Sequence, residues 1–215
     1  MSLIVNEIFY SIQGESSFAG RPCVFIRLTG CNLRCTYCDT QYAYHEGNEL
    51  DIAGILDEIA SYKCPLVEIT GGEPLIQKDT PALINSLLEE GYEVLLETNG
   101  SLATDEIDKR CAKIIDIKCP SSGEHEKCNP DILASLSHKD EVKFVIGDRK
   151  DYEYAKEMLA IMRGKPISRN TAHFSPVFGK IPPRLLAKWI LEDHLDAELN
   201  LQIHKFIWDP EQKGV

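Results

Sequence analysis

Short apolar runs alternate with amphipathic segments along most of the chain. Six of the runs are typical of buried strands. These candidate strands are Val24–Leu28, Val67–Thr70, Val94–Thr98, Ile114–Lys118, Val142–Ile146 and Ala172–Ser175. Because strands that alternate with helices form parallel sheets with right-handed crossovers, the pattern predicts an α/β fold. Six strands are fewer than the eight of a complete TIM barrel.

The segments between these runs carry apolar residues at helical spacing. Residues 81–90 are predicted to form a helix, with Thr80 as N-cap, Pro81 at the first helical position and Gly91 after the end. Further helices are predicted from the apolar stripes Ile52, Ile55, Leu56, Ile59 and Ala155, Met158, Leu159, Met162, and one is expected to open at Asn129-Pro130.

Polar residues interrupt the apolar runs near the carboxyl end of each strand. Strand alternation places them on the face opposite Ile26 and Ile69. Ligands of α/β proteins bind at this end of the sheet, so we expect the polar set to line a ligand cavity. The alternative is that these charges pair with one another as structural ion pairs. The set comprises Arg27, Glu68, Thr70, Glu97, Asn99, Asp116, Lys118 and Lys143.

The 215 residues suit one large domain, so we expect a single domain over residues 1–215. The net charge of -11 argues against a nucleic-acid-coating role, which requires a basic face. No apolar run reaches the ~18 residues of a membrane span, and the amino terminus lacks a signal-peptide pattern. We therefore expect a cytoplasmic protein that binds neither nucleic acid nor membrane.

Three of the eight cysteines are closely spaced, as C-x3-C-x2-C at Cys31, Cys35 and Cys38. In a reducing compartment cysteines indicate metal binding or catalysis rather than disulfides. Three thiolates in one loop can hold an iron–sulfur cluster and leave one iron open. Zinc or a chance cluster is the alternative, although structural zinc usually takes four ligands. The other five cysteines, Cys23, Cys64, Cys111, Cys119 and Cys128, show no ligand spacing.

A second motif, Thr70-Gly71-Gly72-Glu73-Pro74, ends the next predicted strand. Two glycines let the backbone pass close to a ligand. Glu73 offers a carboxylate suited to a ligand ammonium group. Alone, the motif is a tight turn with an acidic tip.

Together the two motifs resemble the radical S-adenosylmethionine superfamily. The resemblance implies an α/β fold with a partial (β/α) barrel of about six parallel strands. It also implies that Cys31, Cys35 and Cys38 bind a [4Fe-4S] cluster whose fourth iron is chelated by S-adenosylmethionine. The Gly71-Gly72-Glu73 segment would hold the methionine ammonium group. Reductive cleavage of the cofactor would give a 5′-deoxyadenosyl radical that abstracts a substrate hydrogen.

Further segments resemble the 7-carboxy-7-deazaguanine synthase family almost from end to end. The segments that carry the likeness are Glu7–Ser16, Phe25–Cys31, Cys38-Asp39-Thr40, Glu97–Gly100, Asp116–Ser121 and Gln202–Lys205. The implied reaction is ring contraction of 6-carboxy-5,6,7,8-tetrahydropterin to 7-carboxy-7-deazaguanine with loss of ammonia, a step towards queuosine. The resemblance further implies Mg2+, a reductant such as flavodoxin or ferredoxin, and a homodimer.

The resemblance also implies roles for individual residues. Arg27 is suited to fork onto the pterin carboxylate, while Gln13 and Glu15 suit its pyrimidinone edge. Thr40 would bind Mg2+ through its hydroxyl, with a helix N-cap as the alternative role. Substrate contacts are implied for Ile12, Gln13, Gly14, Glu15, Arg27, Thr70 and His204. Contacts with S-adenosylmethionine are implied for Tyr37, Cys38, Asp39, Gly72, Glu73, Asn99, Lys118, Cys119, Pro120, Ser175, Pro176, Val177 and Phe178.

Structural roles compete with several of these assignments. Gln13 and Glu15 also fit an ordinary polar turn, Thr70 a hydroxyl satisfied by the turn backbone, and His204 a structural histidine. Two other functions remain open at this point. A glycyl-radical enzyme activase would share the cluster loop but would not need the Ser11–Glu15 segment. A non-catalytic iron–sulfur or zinc protein would not need the glycine-rich turn.

Overall fold

The computed structural model describes residues 1–129, 132–163 and 171–215. Within them, one nine-stranded sheet runs through the molecule. The strands are β1 Ser2–Ile12, β2 Pro22–Leu28, β3 Asn48–Asp51, β4 Leu66–Gly71, β5 Glu93–Thr98, β6 Ala112–Ile117, β7 Glu141–Ile146, β8 Ala172–Pro176 and β9 Glu198–Leu199. The helices are α1 Ile52–Ala60, α2 Thr80–Glu89, α3 Arg149–Arg163, α4 Pro183–Glu192 and α5 His204–Ile207.

The strand order is β3-β1-β2-β4-β5-β6-β7-β8-β9, and the seven strands from β2 to β9 in this order pair in parallel. All six predicted strands are confirmed. β3 and β9 are the two ends of the described sheet, which fits a partial barrel. The antiparallel hairpin of β1 with β2, the edge strand β3 and the two-residue β9 were not predicted.

Alternation along the parallel strands separates an apolar face from a polar one, as predicted. Ile26 and Ile69 are fully buried in the core. Their neighbours Arg27 and Thr70 lie on the other side of the sheet, where they line a cavity. Helix α2, which follows β4, packs against β5, and helix α3, which follows β7, packs against β7. The two helices complete the core with residues such as Leu83 and Leu159.

Two details of the helix predictions were wrong. Thr80 is the first residue of α2 rather than its N-cap, which is Asp79. The Thr80 hydroxyl donates to the Pro74 carbonyl at 2.7 Å. Near the helix expected from Asn129-Pro130 there is only a 3-10 turn at Ile132–Ala134, and Pro130 lies outside the described residues. Helix α4 was not predicted.

The loop between β1 and β2 carries Gln13 and Glu15 and crosses the inner side of the sheet. Gln13 and Arg21 close the loop through a backbone hydrogen bond of 2.8 Å. Ser17 donates to Glu141 at the start of β7 from both its backbone nitrogen and its hydroxyl. The loop is therefore fastened across the sheet. No helix among the described residues is long and apolar enough to span a membrane.

Candidate active site

A cavity of about 760 Å³ lies on the polar side of the sheet, over the carboxyl ends of the central parallel strands. Most of the predicted site residues line it: Ile12, Gln13, Gly14, Glu15, Arg27, Cys31, Cys35, Tyr37, Cys38, Asp39, Thr40, Thr70, Gly72, Asn99, Lys118, Val177, Phe178 and His204. The structure therefore brings together segments from both ends of the chain around one space.

The cysteine loop follows β2 and presents Cys31, Cys35 and Cys38 on one wall of the cavity. Leu33 is buried between them, and the loop is anchored by the Thr36 amide, which donates to the Ser122 carbonyl at 3.0 Å. Burial raises the pKa of the Cys35 thiol to about 11, although nearby Lys118 opposes the rise. A metal that binds here must displace these thiol protons.

Three soft sulfur donors in a half-buried loop fit an iron–sulfur cluster in their chemistry. Among the described residues, no group of three His, Cys, Asp or Glu side chains already converges as a metal site. The fit therefore rests on the donor set, on its place in the cavity wall and on the close packing of the glycine-rich turn against the loop.

The glycine-rich turn after β4 lies directly against the cysteine loop. A Cβ at Gly72 would lie 2.1 Å from the Gly30 carbonyl oxygen and 2.7 Å from the Cys31 Cβ, so only glycine fits. Gly71 has φ +150°, and a Cβ there would lie 2.1 Å from the Leu28 carbonyl oxygen. The Glu73 amide donates to the Gly30 carbonyl at 2.8 Å. The two motifs that sequence analysis linked are thus in direct contact.

The Glu73 carboxylate does not line the cavity. It is fully buried and accepts hydrogen bonds from the Asn99 amide at 2.7 Å, the Thr98 hydroxyl at 2.7 Å and the Leu75 amide at 3.0 Å. Burial raises its pKa in spite of these donors. The side chain therefore fixes the turn to the end of β5 and leaves the turn backbone, at Gly72, to face the cavity.

Four other predicted cofactor contacts lie behind the cavity wall. Cys119 is fully buried in the second core cluster, and Pro120 begins a 3-10 turn at Pro120–Ser122. Ser175 and Pro176 end β8 and are buried, whereas Val177 and Phe178 after them reach the cavity. In these two segments the side chains that meet the cavity are those of Lys118, Val177 and Phe178.

Arg27 projects from β2 into the cavity beside two aromatic rings. Its Nε donates to Glu7 Oε1 at 2.7 Å, and its guanidinium carbon lies 5.5 Å from the Phe9 ring centre and 5.8 Å from that of Tyr42. Tyr42 also donates to Glu7, at 2.9 Å. These contacts orient the guanidinium. The sequence analysis did not identify Tyr42 as a cavity residue, although it lies two positions after Thr40.

The charges along the strand ends pair with one another and line the cavity as well. Lys143 is the hub, with its Nζ 2.7 Å from Glu15, in contact with Glu97 and 3.4 Å from Asp116. Burial alone would lower the pKa of Lys143, but these carboxylates raise it well above its ordinary value. Asp116 in turn accepts from Lys118 at 2.9 Å. The two explanations offered for the polar set are therefore not exclusive.

Gln13 and Glu15, in the loop between β1 and β2, make hydrogen bonds to this charged network. The Gln13 amide nitrogen donates to Glu68, and its oxygen accepts from the Glu15 amide at 2.9 Å. Burial, together with the nearby Glu97 charge, raises the pKa of Glu68 well above its ordinary value. Glu15 also accepts from Gln202 at 2.7 Å, which links the loop to the segment just before α5.

Thr40 and Asp39 lie where the cysteine loop meets α5. The Thr40 hydroxyl donates to Asp39 at 3.0 Å, and Asp39 pairs with Lys205 at 2.5 Å. Burial opposes ionisation of Asp39, but Lys205 lowers its pKa to about 2. Thr40 occupies the N-cap position of the 3-10 turn Gln41–Tyr44 without making a capping hydrogen bond. Its hydroxyl is therefore not committed to the role of helix cap.

The carboxyl-terminal segment covers one side of the cavity. The His204 ring packs on Gly14, where a Cβ would lie 1.9 Å from Nδ1, and the Ile203 amide donates to the Gly14 carbonyl at 3.0 Å. Residues 210–215 also line the cavity, and Lys213 Nζ lies 4.2 Å from the Tyr42 ring centre. No sequence motif indicated that the tail returns to the site.

Comparisons with known proteins agree with this geometry. The model of the radical SAM superfamily matches residues 25–184. The chain is 46% identical to the 7-carboxy-7-deazaguanine synthase of Chlorobaculum tepidum, over 99% of this chain and 97% of that protein. It is 43% identical to the enzyme of that name from Koribacter versatilis, over 98% and 99%.

Solved structures support the same fold. The crystal structure of QueE from Escherichia coli matches with a TM-score of 0.77 and 23% identity, over 94% of each chain. Streptococcus suis SuiB bound to S-adenosylmethionine matches with a TM-score of 0.55 and 14% identity, over 80% of this chain and 44% of that one. The chain therefore belongs to the radical SAM superfamily and, within it, to the 7-carboxy-7-deazaguanine synthase family.

Proposed function

We propose that this protein converts 6-carboxy-5,6,7,8-tetrahydropterin to 7-carboxy-7-deazaguanine with loss of ammonia, in the synthesis of queuosine and related deazapurines. The observation that carries the proposal is one cavity that joins the cysteine triplet to Arg27 and to the Gln13–Glu15 loop. When bound, the [4Fe-4S] cluster supplies the electron that cleaves S-adenosylmethionine to the radical that abstracts the substrate hydrogen.

The chain's own residues bind and orient the two ligands. Arg27 presents its guanidinium to the substrate carboxylate, oriented by Glu7 and flanked by Phe9 and Tyr42. Glu15 and His204 lie on the substrate side, where Lys143 holds the Glu15 carboxylate. Thr70 presents its hydroxyl from the end of β4, where it donates to Glu97 at 3.3 Å. Substrate contacts at Ile12, Gln13 and Gly14 complete this side.

Fewer residues are proposed to contact S-adenosylmethionine than the sequence analysis predicted. Gly72, Asn99 and Lys118 line the cavity near the cysteine loop, together with Tyr37, Asp39, Val177 and Phe178. We assign the ammonium group of S-adenosylmethionine to the backbone of the Gly71-Gly72 turn, because the Glu73 carboxylate is already occupied by three donors. Glu73, Cys119, Pro120, Ser175 and Pro176 are then supporting residues.

Mg2+, the reductant and the assembly are further parts of the proposal. Thr40 offers Mg2+ a hydroxyl oxygen at the cavity edge, a ligand type that this hard cation accepts alongside waters. A flavodoxin or ferredoxin would supply the electron, and the chain would act as one domain in a cytoplasmic homodimer. The relatives' names favour this enzyme over a glycyl-radical activase or a non-catalytic metal protein.

Anaerobic reconstitution tests the proposal. The protein is loaded with iron and sulfide and incubated with S-adenosylmethionine, reductant, Mg2+ and the carboxytetrahydropterin. We expect 7-carboxy-7-deazaguanine, ammonia and a faster turnover with Mg2+ than with a chelator. Formation of 5′-deoxyadenosine without any deazapurine would overturn the substrate assignment. If turnover is equally fast with Mg2+ and with a chelator, the proposal that Thr40 binds a functional Mg2+ is contradicted.

A further inference from the structure

The loop between β1 and β2 carries Gln13, Gly14 and Glu15 on the substrate side of the cavity and then leaves it through a strained turn. Ser16, the next residue, is buried and has φ +62°, in the left-handed region that residues with a side chain rarely adopt. Such a conformation costs free energy and persists only where surrounding contacts hold it. The contacts that hold Ser16 therefore also determine where the preceding loop residues lie.

Two buried polar side chains from distant parts of the chain hold this turn. Asn200, directly after β9, accepts from the Ser16 amide at 3.2 Å through Oδ1, and its Nδ2 donates to the Ser16 carbonyl at 3.2 Å. Glu141, at the start of β7, accepts from the Ser17 amide at 3.1 Å and from the Ser17 hydroxyl. Two separate elements of the sheet therefore bind consecutive residues of the turn.

Glu141 is itself held in place by His173 on β8. His173 is fully buried, and its Nε2 lies 2.8 Å from Glu141 Oε2. Burial would raise the pKa of Glu141, but the hydrogen bonds from His173 and Ser17 lower it. Glu141 is therefore a carboxylate, which only accepts hydrogen bonds, so Nε2 of His173 carries the proton. Like Asn200, neither residue lines the cavity, so any effect of the three on a ligand must act through the loop.

We propose that these three side chains form a clamp of positioning residues, which holds the turn at residues 16–17 and thereby fixes residues 13–15 where they bind the substrate. The clamp consists of Glu141, His173 and Asn200. The identity of the substrate rests on the proposed function, whereas the hold of the clamp on the loop rests on the contacts themselves.

Strand β7 grips the loop at two points. Lys143 pairs with Glu15 at 2.7 Å inside the cavity, and Glu141, two positions earlier on the same face of the strand, binds Ser17 outside it. The clamp therefore lies next to the substrate side. The residues proposed to bind S-adenosylmethionine belong to other segments, so we expect loss of the clamp to weaken substrate binding and to leave the affinity for S-adenosylmethionine unchanged. A general loss of stability would weaken the binding of both ligands.

Two substitutions at Glu141 separate the clamp from mere packing. Glu141→Ala removes the acceptor for Ser17 and His173, and we expect the dissociation constant of the substrate to rise about tenfold, comparable to a lost hydrogen bond. Glu141→Gln is the conservative variant. Its oxygen takes the Oε2 position, where the Ser17 amide and His173 donate, and its amide nitrogen donates to the Ser17 hydroxyl, which turns to accept. We expect this variant to bind substrate within about threefold of the unchanged protein.

The experiment uses the reconstituted holoenzyme without reductant, so that no turnover occurs. Equilibrium dialysis measures the affinity for S-adenosylmethionine alone, and then for the carboxytetrahydropterin at saturating S-adenosylmethionine. Hydrogen exchange measures the protection of the amides of residues 13–21. Asp140→Asn is the matched control, because Asp140 is the preceding residue, is also buried and pairs with Lys113 on β6 at 3.1 Å. Ser17→Ala is measured in parallel in case Glu141→Ala does not fold; it loses only the hydroxyl contact, so we expect a smaller change in the same direction.

Weaker binding of the pterin at unchanged affinity for S-adenosylmethionine, with faster exchange in residues 13–21, supports the proposal. Unchanged pterin affinity in folded, iron-loaded Glu141→Ala overturns it, and so does an equal loss of affinity for both ligands. If the unchanged protein neither binds nor converts the pterin, the proposed function fails. The exchange measurement then still tests the clamp, and equal exchange of the loop amides in Glu141→Ala and Asp140→Asn overturns it.

Discussion

The two faces of the parallel sheet are about equally buried but differ in the chemistry of their side chains. On the helix side, Ile26 and Ile69 are fully buried members of the apolar core. On the cavity side, Lys143 and Asp116 are 4% and 7% exposed, yet both are charged and paired. Burial of paired charges often adds no net stability, because desolvation offsets their attraction. The apolar face therefore stabilises the fold, whereas the polar face arranges charge for ligands.

The largest expected effect separates cavity cysteines from core cysteines. Cys35→Ala removes one of the three proposed cluster ligands, so we expect loss of the iron–sulfur absorbance and of all reductive cleavage of S-adenosylmethionine. Iron analysis and 5′-deoxyadenosine formation measure the two losses. Cys111→Ala is the control, because Cys111 is fully buried in the core; it keeps iron and cleavage and costs about 1 kcal/mol of stability. Persistent cleavage by Cys35→Ala contradicts the cluster assignment.

A pair of neighbours on β4 tests the two faces directly. Ile69→Ala leaves a cavity in the fully buried core, and we expect its free energy of unfolding to fall by about 4 kcal/mol. Thr70→Ala, on the opposite face, removes one hydroxyl contact with Glu97 and lowers it by about 1 kcal/mol or less. Denaturant unfolding of both variants makes the comparison. Equal losses would show that the faces do not differ as described.

The Arg27 prediction concerns binding rather than stability. Arg27→Ala removes the cation proposed for the substrate carboxylate, and we expect about a hundredfold weaker substrate binding at unchanged iron content. Equilibrium dialysis with the carboxytetrahydropterin measures it. The control is Arg21→Ala, whose partner Glu93 lies on the exposed surface; such a pair contributes at most about 1 kcal/mol and does not bind substrate. If Arg27→Ala binds the carboxytetrahydropterin as tightly as the unchanged protein does, Arg27 does not bind the substrate carboxylate.

The parallel core and most of the cavity could be predicted from sequence, because both depend on local patterns. Apolar runs identify strands, and alternation along β2 and β4 places Arg27 and Thr70 opposite Ile26 and Ile69. The antiparallel strand β1 was not predicted, although Ser2–Ile12 is rich in the β-branched and aromatic residues typical of strands; its pairing with β2 and β3 is a contact between separate segments that no local pattern shows. Strand β9 has only two residues, which is too short to show the alternation that identifies a strand.

Contacts made by side chains across the fold could not be predicted in the same way. Glu73 fits an ammonium ligand by type, but only the fold shows that Asn99, Thr98 and Leu75 already occupy its carboxylate. The return of residues 210–215 to the cavity is a long-range contact without a motif. Sequence analysis therefore identifies which residues form the site more reliably than which atoms face the ligand.

The smallest expected effect concerns Glu68, a carboxyl group on the polar face whose pKa is raised well above its ordinary value by burial and by the Glu97 charge. The native state holds this proton above the ordinary value of 4.5, whereas the unfolded chain releases it. Stability from this group is therefore present at low pH and lost as pH rises from about 4.5 towards the raised pKa. Glu68→Gln removes the titration but retains an acceptor for Gln13.

Denaturant unfolding at pH 5 and pH 8 measures the consequence. Relative to the unchanged chain, we expect Glu68→Gln to gain stability at pH 8 compared with pH 5, because the variant has no carboxyl proton to lose as the pH rises towards the raised pKa. Glu157→Gln, on the exposed face of α3, is the control and leaves the pH difference as it was. If Glu68→Gln shows the same difference in free energy of unfolding between pH 5 and pH 8 as the unchanged chain, the buried carboxylate at this position carries no stability cost. The two faces of the sheet would then differ less in their effect on stability than their charges indicate.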